Sequence, residues 1–317
     1  MSDFILYDRE YLNSLTDEER SDFWKSLIEQ SLTEVEELRE QLKPIPFASP
    51  LWENYHGAYG NVREDVAFLF CPKEFLPQMD KIRRLDFEKK NNEQINFDNL
   101  CENLSHQLSF YGATYLAMPY FVLLLELKRQ KKEFYWQMQI IMQAGIILST
   151  ARPCWQEEIP EEIRTSYERS KELLQDRAKE FLGQHLDELK QQSPDALLYF
   201  STALLAILDD PEAAYQLIMG GWEQTPVACP ECDYYDDDME DGFYDPELIK
   251  QKVEPAESVI GAWDGTSFDN TYLWFSNLIH DFGLEEEWKL PYYYGTYTCP
   301  ECGKKGILID WMKQFED

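Results

Sequence analysis

The chain has 317 residues, of which 44% are hydrophobic and 15% aromatic, enough for one or two domains with a packed core. This composition excludes wholesale disorder. Aspartate and glutamate number 60 against 29 lysines and arginines, which gives a net charge of −31. Such a charge disfavours nucleic acids and anionic membranes as partners, and it predicts a protein partner that is neutral or basic.

The sequence predicts a cytoplasmic protein. Residues 1–15 carry acids early and lack the apolar stretch of a secretory signal. The longest uncharged apolar run, 110–125, is short for a membrane span and contains Pro119. Seven cysteines without a secretion signal indicate a reducing compartment, where paired cysteines hold metal more often than they form disulfides.

The first half of the chain is predicted to be helical. Thr16 and Glu19 form a capping box that would begin a helix over residues 17–41, before three prolines break the chain. Residues 51–65 form a compact loop or a short helix. Pro119 is expected to kink the helix that contains it, because proline lacks an N–H group. Further helices are predicted over residues 74–85, 96–107, 111–128 and 133–151.

Helices also dominate the predicted structure up to about residue 223. A long amphipathic helix is indicated by an apolar stripe with spacings near three and four: Ile163, Tyr167, Leu174, Ala178, Phe181, His185, Leu186 and Leu189. Residues 195–208 and 212–219 form two more helices, joined at Asp209-Asp210, with Pro211 as a first helical residue. So short a connection predicts an antiparallel pair. Several such pairs in series suggest an α-solenoid or an irregular helical array, although no strict repeat is present.

Two Cys-Pro-Glu-Cys motifs predict a metal site in the last third of the chain. Cys229 and Cys232 form one pair, and Cys299 and Cys302 form the other. Each motif lets two thiolates reach a metal from one turn, so two motifs supply the four ligands of a structural zinc ion. The motifs resemble zinc-ribbon knuckles of the form CPxCG, which the second motif matches fully, whereas Asp233 replaces the glycine in the first.

The separation of the two motifs leaves alternatives open. Sixty-six residues lie between Cys232 and Cys299, so either a long insertion interrupts one ribbon or each pair joins other ligands. A redox role is disfavoured because no thioredoxin-like βαβ pattern surrounds either motif. Four thiolates would close the coordination sphere, which disfavours hydrolytic chemistry.

Two histidines with aromatic neighbours form a second candidate site. His56 and His106, with Trp52 and Tyr111, could line a binding pocket or form rigid turns with hydrogen-bonded imidazoles. The acidic run between Asp233 and Asp245 suggests calcium only weakly, because position twelve of an EF-hand loop beginning at Asp237 would be a leucine. The remaining cysteines are predicted to be buried thiols: Cys71, Cys101 and Cys154.

Residues 51–127 resemble a group of uncharacterised bacterial cytoplasmic proteins with HEAT-like helical folds. The resemblance rests on the segments WENYHGAYGNVREDV and HQLSFYGATYLAMPYFVLLL. It implies an α-solenoid scaffold, and some members of that group are encoded near toxin systems as immunity-type proteins. It implies no catalytic residue, and it does not account for the cysteine motifs.

The predicted fold is therefore mainly α, with an irregular HEAT-like helical array over residues 1–223. A small zinc-ribbon-like module with a long acidic, partly helical insertion follows over residues 224–317. Residues 271–280 would form a helix within it, and residues 297–298 and 307–309 short strands. The leading functional hypothesis is a non-catalytic protein-interaction scaffold that binds a basic partner, and an immunity-type protein is the form that the resemblance implies. An enzyme with a site near His56 and His106, and a zinc-ribbon nucleic-acid binder, are the alternatives.

Overall fold

A computed structural model describes residues 16–70, 92–150, 159–219, 227–235, 260–262 and 270–313. Within these residues the protein is mainly helical, with twelve α-helices and one three-stranded sheet. The predicted helix over 74–85, Cys71, Cys154 and the acidic run from Asp236 onward lie outside the described residues. The chain falls into two compact units.

The first unit comprises Met1–His106, Tyr111–Lys132 and Glu157–Ser170. Its described helices are α1 (Asp17–Thr33), α2 (Glu36–Leu42), α3 (Arg63–Phe68), α4 (Asn92–Ser105), α5 (Ala113–Gln130) and the part of α7 (Glu161–Leu189) up to Ser170.

Helix α1 begins with the predicted capping box. The amide of Glu19 donates to the Thr16 hydroxyl at 3.3 Å, and the amide of Thr16 donates to the Glu19 carboxylate at 2.8 Å. The prediction of one helix over residues 17–41 is wrong, because α1 ends at Thr33 and α2 begins at Glu36. Val35 leaves helical geometry, with φ −124° and ψ 26°, and its side chain is buried. Burial of this β-branched side chain accompanies the break between the two helices.

Helix α5 is the centre of the first unit. Almost every residue from Ala113 to Lys128 is buried, as its continuous apolar sequence predicts. The helix runs through Pro119 without a non-helical residue. The Tyr120 hydroxyl donates to the carbonyl of Ile45 at 2.8 Å, and its ring lies 6.0 Å from that of Trp52. These contacts attach the proline-rich segment after α2 to the central helix.

The second unit comprises Gln107–Phe110, Glu133–Gln156 and Lys171–Asp317. Its described helices are α6 (Phe134–Ser149), the part of α7 (Glu161–Leu189) after Ser170, α8 (Pro194–Leu208), α9 (Pro211–Met219), α10 (Asn270–Phe282), α11 (Leu290–Tyr293) and α12 (Leu308–Lys313).

Helices α6 and α8 pack closely in the second unit. Gly145 on α6 faces Ala203 on α8 so closely that a Cβ atom at Gly145 would lie 2.6 Å from that of Ala203. Helix α9 packs on both, and Asp210 caps it by accepting from the amide of Ala213 at 2.9 Å.

A small antiparallel sheet lies within the last third of the chain. Its strands are β1 (Ile260–Gly261), β2 (Thr296–Thr298) and β3 (Lys305–Ile307), in that spatial order. Tyr297 on β2 is paired with Ile260 on one side and with Gly306 on the other.

The predicted strand over residues 307–309 is wrong beyond Ile307. Leu308 and Ile309 begin α12, in which both side chains are buried together with Trp311 and Met312. A run of only three apolar residues, such as 307–309, is compatible with a strand or with one face of a helix. Here the residues after Ile307 lie on the buried face of a helix.

Elements on either side of the predicted boundary at residue 223 pack together in the second unit. Helix α12 packs against α9, and α10 packs against α8. Asp209, at the end of α8, accepts hydrogen bonds from the Thr271 hydroxyl and from the Trp274 indole N–H, both at 2.8 Å. The boundary itself lies within residues 220–226, outside the described residues, and stays a prediction.

In the part of the chain that the structure describes, no helix combines the length and the apolar character needed to cross a bilayer.

Candidate metal centre

The two Cys-Pro-Glu-Cys motifs fold into the same turn. In the first, the amide of Asp233 donates to the carbonyl of Cys229 at 3.0 Å, and the amide of Cys229 donates to the carbonyl of Tyr234 at 2.9 Å. Ala228 and Tyr235 flank the turn as an antiparallel bridge. The bridge closes the loop that carries both thiols of the motif.

The second motif repeats this pattern with every residue number raised by 70. The amide of Gly303 donates to the carbonyl of Cys299 at 2.9 Å, and the amide of Cys299 donates to the carbonyl of Lys304 at 2.8 Å. Thr298 and Lys305, on β2 and β3, take the places of the bridging residues. The two motifs, which have the same Cys-Pro-Glu-Cys sequence, therefore also have the same backbone hydrogen bonds.

All four sulfur atoms converge. They lie within 4.8 Å of one another, with 3.6 Å between Cys229 and Cys302 and 3.7 Å between Cys232 and Cys299. The alternative that each pair joins separate ligands is thereby excluded. Metal–sulfur bonds of about 2.3 Å in a tetrahedron require sulfur separations of about 3.8 Å, so the cluster can hold one metal ion.

The thiols are free rather than paired as disulfides. The first cysteine of each motif, Cys229 or Cys299, is buried, and the second cysteine, Cys232 or Cys302, is exposed. Sulfur separations above 3.5 Å are far from the roughly 2.05 Å of a disulfide bond. The cluster is therefore in the reduced form that binds metal.

The surroundings stabilise negative charge on one sulfur and oppose it on others. Burial raises the pKa of Cys229, but the amides of Glu231 and Cys232 and the thiol of Cys302 outweigh it and lower the pKa to about 7. The amide of Tyr234 lowers the pKa of Cys232, yet burial and the neighbouring sulfurs raise it to about 12. Four thiolates at such short distances repel one another, so a bound divalent cation is what allows all four to ionise.

A salt bridge also joins the two motifs. The ammonium group of Lys304 lies 3.4 Å from the carboxylate of Glu231, and both side chains are at least half exposed. Such an exposed pair contributes little to stability.

The four residues of the predicted histidine site have different surroundings. Trp52 is fully buried, and its indole N–H donates to the carbonyl of Pro46 at 3.1 Å, so its role here is in the core. His56 is exposed, and its carbonyl accepts from the amide of Ala113 at 3.2 Å. Tyr111 and His106 do meet, since the Tyr111 hydroxyl donates to the His106 carbonyl at 3.4 Å.

His106 has two side-chain partners that sequence reasoning missed. Its Nδ1 lies 2.7 Å from the Tyr59 hydroxyl and 2.6 Å from the Glu102 carboxylate. Glu102 precedes His106 by four residues, a spacing that places two side chains on one helix face and could have signalled this pair. No comparable signal connects Tyr59, because 47 positions separate it from His106.

Cys101 is a buried thiol, as predicted, with 3% of its surface exposed. Burial, aided by Asp98, raises the pKa of this thiol well above its ordinary value, which favours the protonated and less reactive form. The calcium alternative depends on residues from Asp237 onward, which lie outside the described residues.

No protein-family model matches this chain, and neither a curated protein nor a solved structure shows significant similarity to it.

Proposed function

We propose that this chain is a non-catalytic protein-interaction scaffold whose C-terminal part is held together by a structural zinc ion. The observation that carries the proposal is the closed set of four cysteine sulfurs within 4.8 Å of one another. Such a set leaves no coordination position for water or substrate, so the metal serves folding rather than catalysis.

Zinc is the metal we assign to this site. Tetrahedral sites made of four thiolates select zinc or iron over magnesium, calcium and copper(II). Zinc carries no redox activity and suits a site that only holds two segments together. The separations between the sulfurs fit one ion, whereas a multi-iron cluster would hold them further apart.

The metal would connect parts of the second unit that are distant in sequence. Cys299 and Cys302 lie in the turn between β2 and β3. Strand β3 leads into α12, which packs on α9. Cys229 and Cys232 follow α9 in the chain after residues 220–226. Metal binding would therefore link the segment after α9 to the helix that packs on α9, and its free energy would add to folding.

A basic protein is the partner that the charge of the chain favours. The net charge is −31, and exposed acids also lie in the cysteine turns, at Glu231, Asp233 and Glu301. Carboxylates at these positions would repel a nucleic-acid backbone, which speaks against the zinc-ribbon nucleic-acid binder. Long-range attraction would speed association with a cationic protein and would weaken as salt screens it.

The HEAT-like α-solenoid remains part of the proposal. Helices α8 and α9 pack against each other across the two-residue connection Asp209-Asp210, in the manner of one solenoid hairpin. An immunity-type role, in which the scaffold neutralises a basic toxin, follows from the resemblance of residues 51–127 and from the charge.

Elemental analysis of the full chain tests the metal assignment. We expect about one zinc per chain, with zinc lost in Cys229→Ser and Cys302→Ser but retained in Cys101→Ala, which removes a buried thiol outside the site. Hydrogen exchange should accelerate in residues 227–235 and 296–313 when a chelator removes the metal. Iron in place of zinc, or less than half an equivalent of any metal, would contradict the assignment.

Capture of binding partners at low and high salt tests the interaction role. The chain is immobilised, captured proteins are identified, and each is purified and measured for direct binding. We expect a basic protein whose dissociation constant rises with salt. Direct binding only to acidic proteins, or affinities that do not respond to salt, would overturn the scaffold proposal.

A further inference from the structure

Tyr59 is the most exposed large hydrophobic residue that the structure describes, with 65% of its surface accessible, yet its backbone is firmly held. It lies in the turn between Gly57 and Gly60, in which the Gly57 amide donates to the Gly60 carbonyl at 2.9 Å. Asn103 on α4 anchors the turn, because its side-chain oxygen accepts from the Tyr59 amide at 2.7 Å. Its carbonyl accepts from the Ala58 amide at 2.8 Å.

The two glycines are required for this placement. A Cβ atom at Gly57 would overlap the carbonyl oxygen and the side chain of Asn103. Gly60 has φ +115°, a backbone conformation that other residues rarely adopt. The turn is thus built so that it can approach α4 closely and hold an exposed aromatic residue above it.

The side chain of Tyr59 is oriented as well. Its hydroxyl lies 2.7 Å from Nδ1 of His106, and the two ring centroids are 4.9 Å apart. The Glu102 carboxylate, which is 60% exposed, lies 2.6 Å from the same nitrogen. One imidazole therefore brings an aromatic ring and a carboxylate together at the surface of the first unit.

An exposed ring beside a carboxylate suits a guanidinium group better than other ligands. The planar cation can lie against the ring, where the quadrupole attracts it, while its N–H groups donate to the carboxylate. An acidic ligand would be repelled by Glu102 and by the charge of the chain. A nucleophilic role for Tyr59 is disfavoured, because local desolvation of the hydroxyl beside His106 and the charge of the neighbouring Glu102 raise its pKa.

We propose that Tyr59 and Glu102 form a docking point for one arginine side chain of a basic protein partner. The inference rests on the proposed interaction role and names where and how part of the partner is recognised. Because the turn and the ring are held before binding, little conformational freedom is lost when the partner arrives. Tyrosines held in this way are frequent energetic anchors of protein interfaces.

Calorimetric titration with a short glycine–arginine peptide tests this docking point on the full, metal-loaded chain. The same peptide with citrulline in place of arginine keeps the shape and removes the charge. The variants are Tyr59→Ala, Tyr59→Leu and Glu102→Gln. Tyr199→Ala is the matched control, since Tyr199 is 48% exposed and lies in the second unit.

Each change at the docking point should weaken arginine-peptide binding about two- to fivefold, the usual range for an exposed cation–aromatic or ion pair. Tyr59→Leu should weaken it as much as Tyr59→Ala, because leucine supplies apolar area without a ring. Tyr199→Ala should bind as the parent chain does, and the citrulline peptide should bind at least fivefold more weakly.

The chain has only four histidines, which allows a second readout. In a sample with labelled histidine side chains, the His106 signal should shift with arginine peptide. His280 is the internal control, because its Nδ1 also lies close to a carboxylate oxygen, that of Glu287, at 2.9 Å. The His280 signal should stay unchanged. A His106→Gln variant identifies the shifting signal.

Equal affinity in the parent, Tyr59→Leu and Glu102→Gln chains would overturn the docking point, as would equal binding of the citrulline peptide. Absence of arginine-peptide binding to the parent chain would overturn it too. The broader role is decided separately by the partner-capture experiment. A basic partner whose affinity is unchanged by Tyr59→Ala would therefore refute this site and leave the scaffold proposal standing.

Discussion

Asp233 and Gly303 occupy equivalent positions in the two cysteine turns, and both have a left-handed backbone, with φ of 56° and 72°. The amide of each donates to the carbonyl of the first cysteine of its motif. Glycine adopts this conformation freely, whereas aspartate does so at a cost. The first turn therefore stores strain that the second does not.

Replacing Asp233 with glycine should stabilise the metal-loaded chain by about 0.5–1 kcal/mol, because glycine removes the strained side chain from the left-handed position. The measurement is the free energy of unfolding of the second unit in denaturant. The opposite change, Gly303→Asp, should destabilise the same unit by a similar amount. A less stable Asp233→Gly chain would show that the aspartate side chain contributes more than the backbone strain costs.

Helices α6 and α8 cannot accept a methyl group at their closest approach. Gly145→Ala should destabilise the chain by about 1–3 kcal/mol, because the new Cβ would overlap Ala203 and push the helices apart. This cost exceeds the gain of up to about 1 kcal/mol that alanine brings to a helix. The midpoint of denaturant unfolding measures the effect.

Gly183 in α7 provides the control, since a Cβ atom there would meet open space. Gly183→Ala should stabilise the chain by up to about 1 kcal/mol through helix propensity alone. If both glycine variants raised stability, the close contact between α6 and α8 would be refuted.

Asp209 attaches α10 to the end of α8 through the Thr271 hydroxyl and the Trp274 indole N–H. Asp209→Ala should lower the local opening free energy of α10 by about 1–2 kcal/mol, because two hydrogen bonds to a charged acceptor are lost. Native-state hydrogen exchange of the amides in Asn270–Phe282 measures it. Asp187→Ala, at an exposed position on α7, should change exchange in α10 by less than about 0.5 kcal/mol. Unchanged exchange in Asp209→Ala would show that packing alone holds α10.

Asn103 holds the turn that carries Tyr59, and the side chain of Asn103 is buried. Asn103→Ala should destabilise the first unit by about 1–3 kcal/mol, because the amide of Tyr59 loses its partly buried acceptor. Denaturant unfolding measures this loss, and the exposed Asn54→Ala should leave stability within about 0.5 kcal/mol of the parent. Equal stability of the two variants would mean that water replaces the asparagine at the turn.

Local patterns in the sequence predicted most of the described helices. The stripe from Ile163 to Leu189 became α7, in which Ile163, Leu174 and Ala178 are fully buried. The capping box at Thr16 and the proline at residue 211 mark where α1 and α9 begin. These signals work because hydrogen bonding at a helix end and burial of one helix face depend on residues only a few positions apart.

Errors arose where distant residues decided the local conformation. Val35 leaves helical geometry, and its side chain is buried. Leu308 and Ile309 begin α12, because a helix buries their side chains together with that of Trp311. Neither choice is encoded within a few residues, since a β-branched or apolar segment can adopt either conformation.

The sequence by itself identified the four cysteines of the candidate metal site, because a Cys-x-x-Cys turn brings two sulfurs together within a single loop. Only the tertiary structure decided that Cys229 and Cys232 share a site with Cys299 and Cys302, since 66 intervening residues leave that separation unconstrained until the chain folds. The meeting of Tyr59 with His106 was decided in the same way, by a glycine turn that docks on Asn103 from 44 positions away.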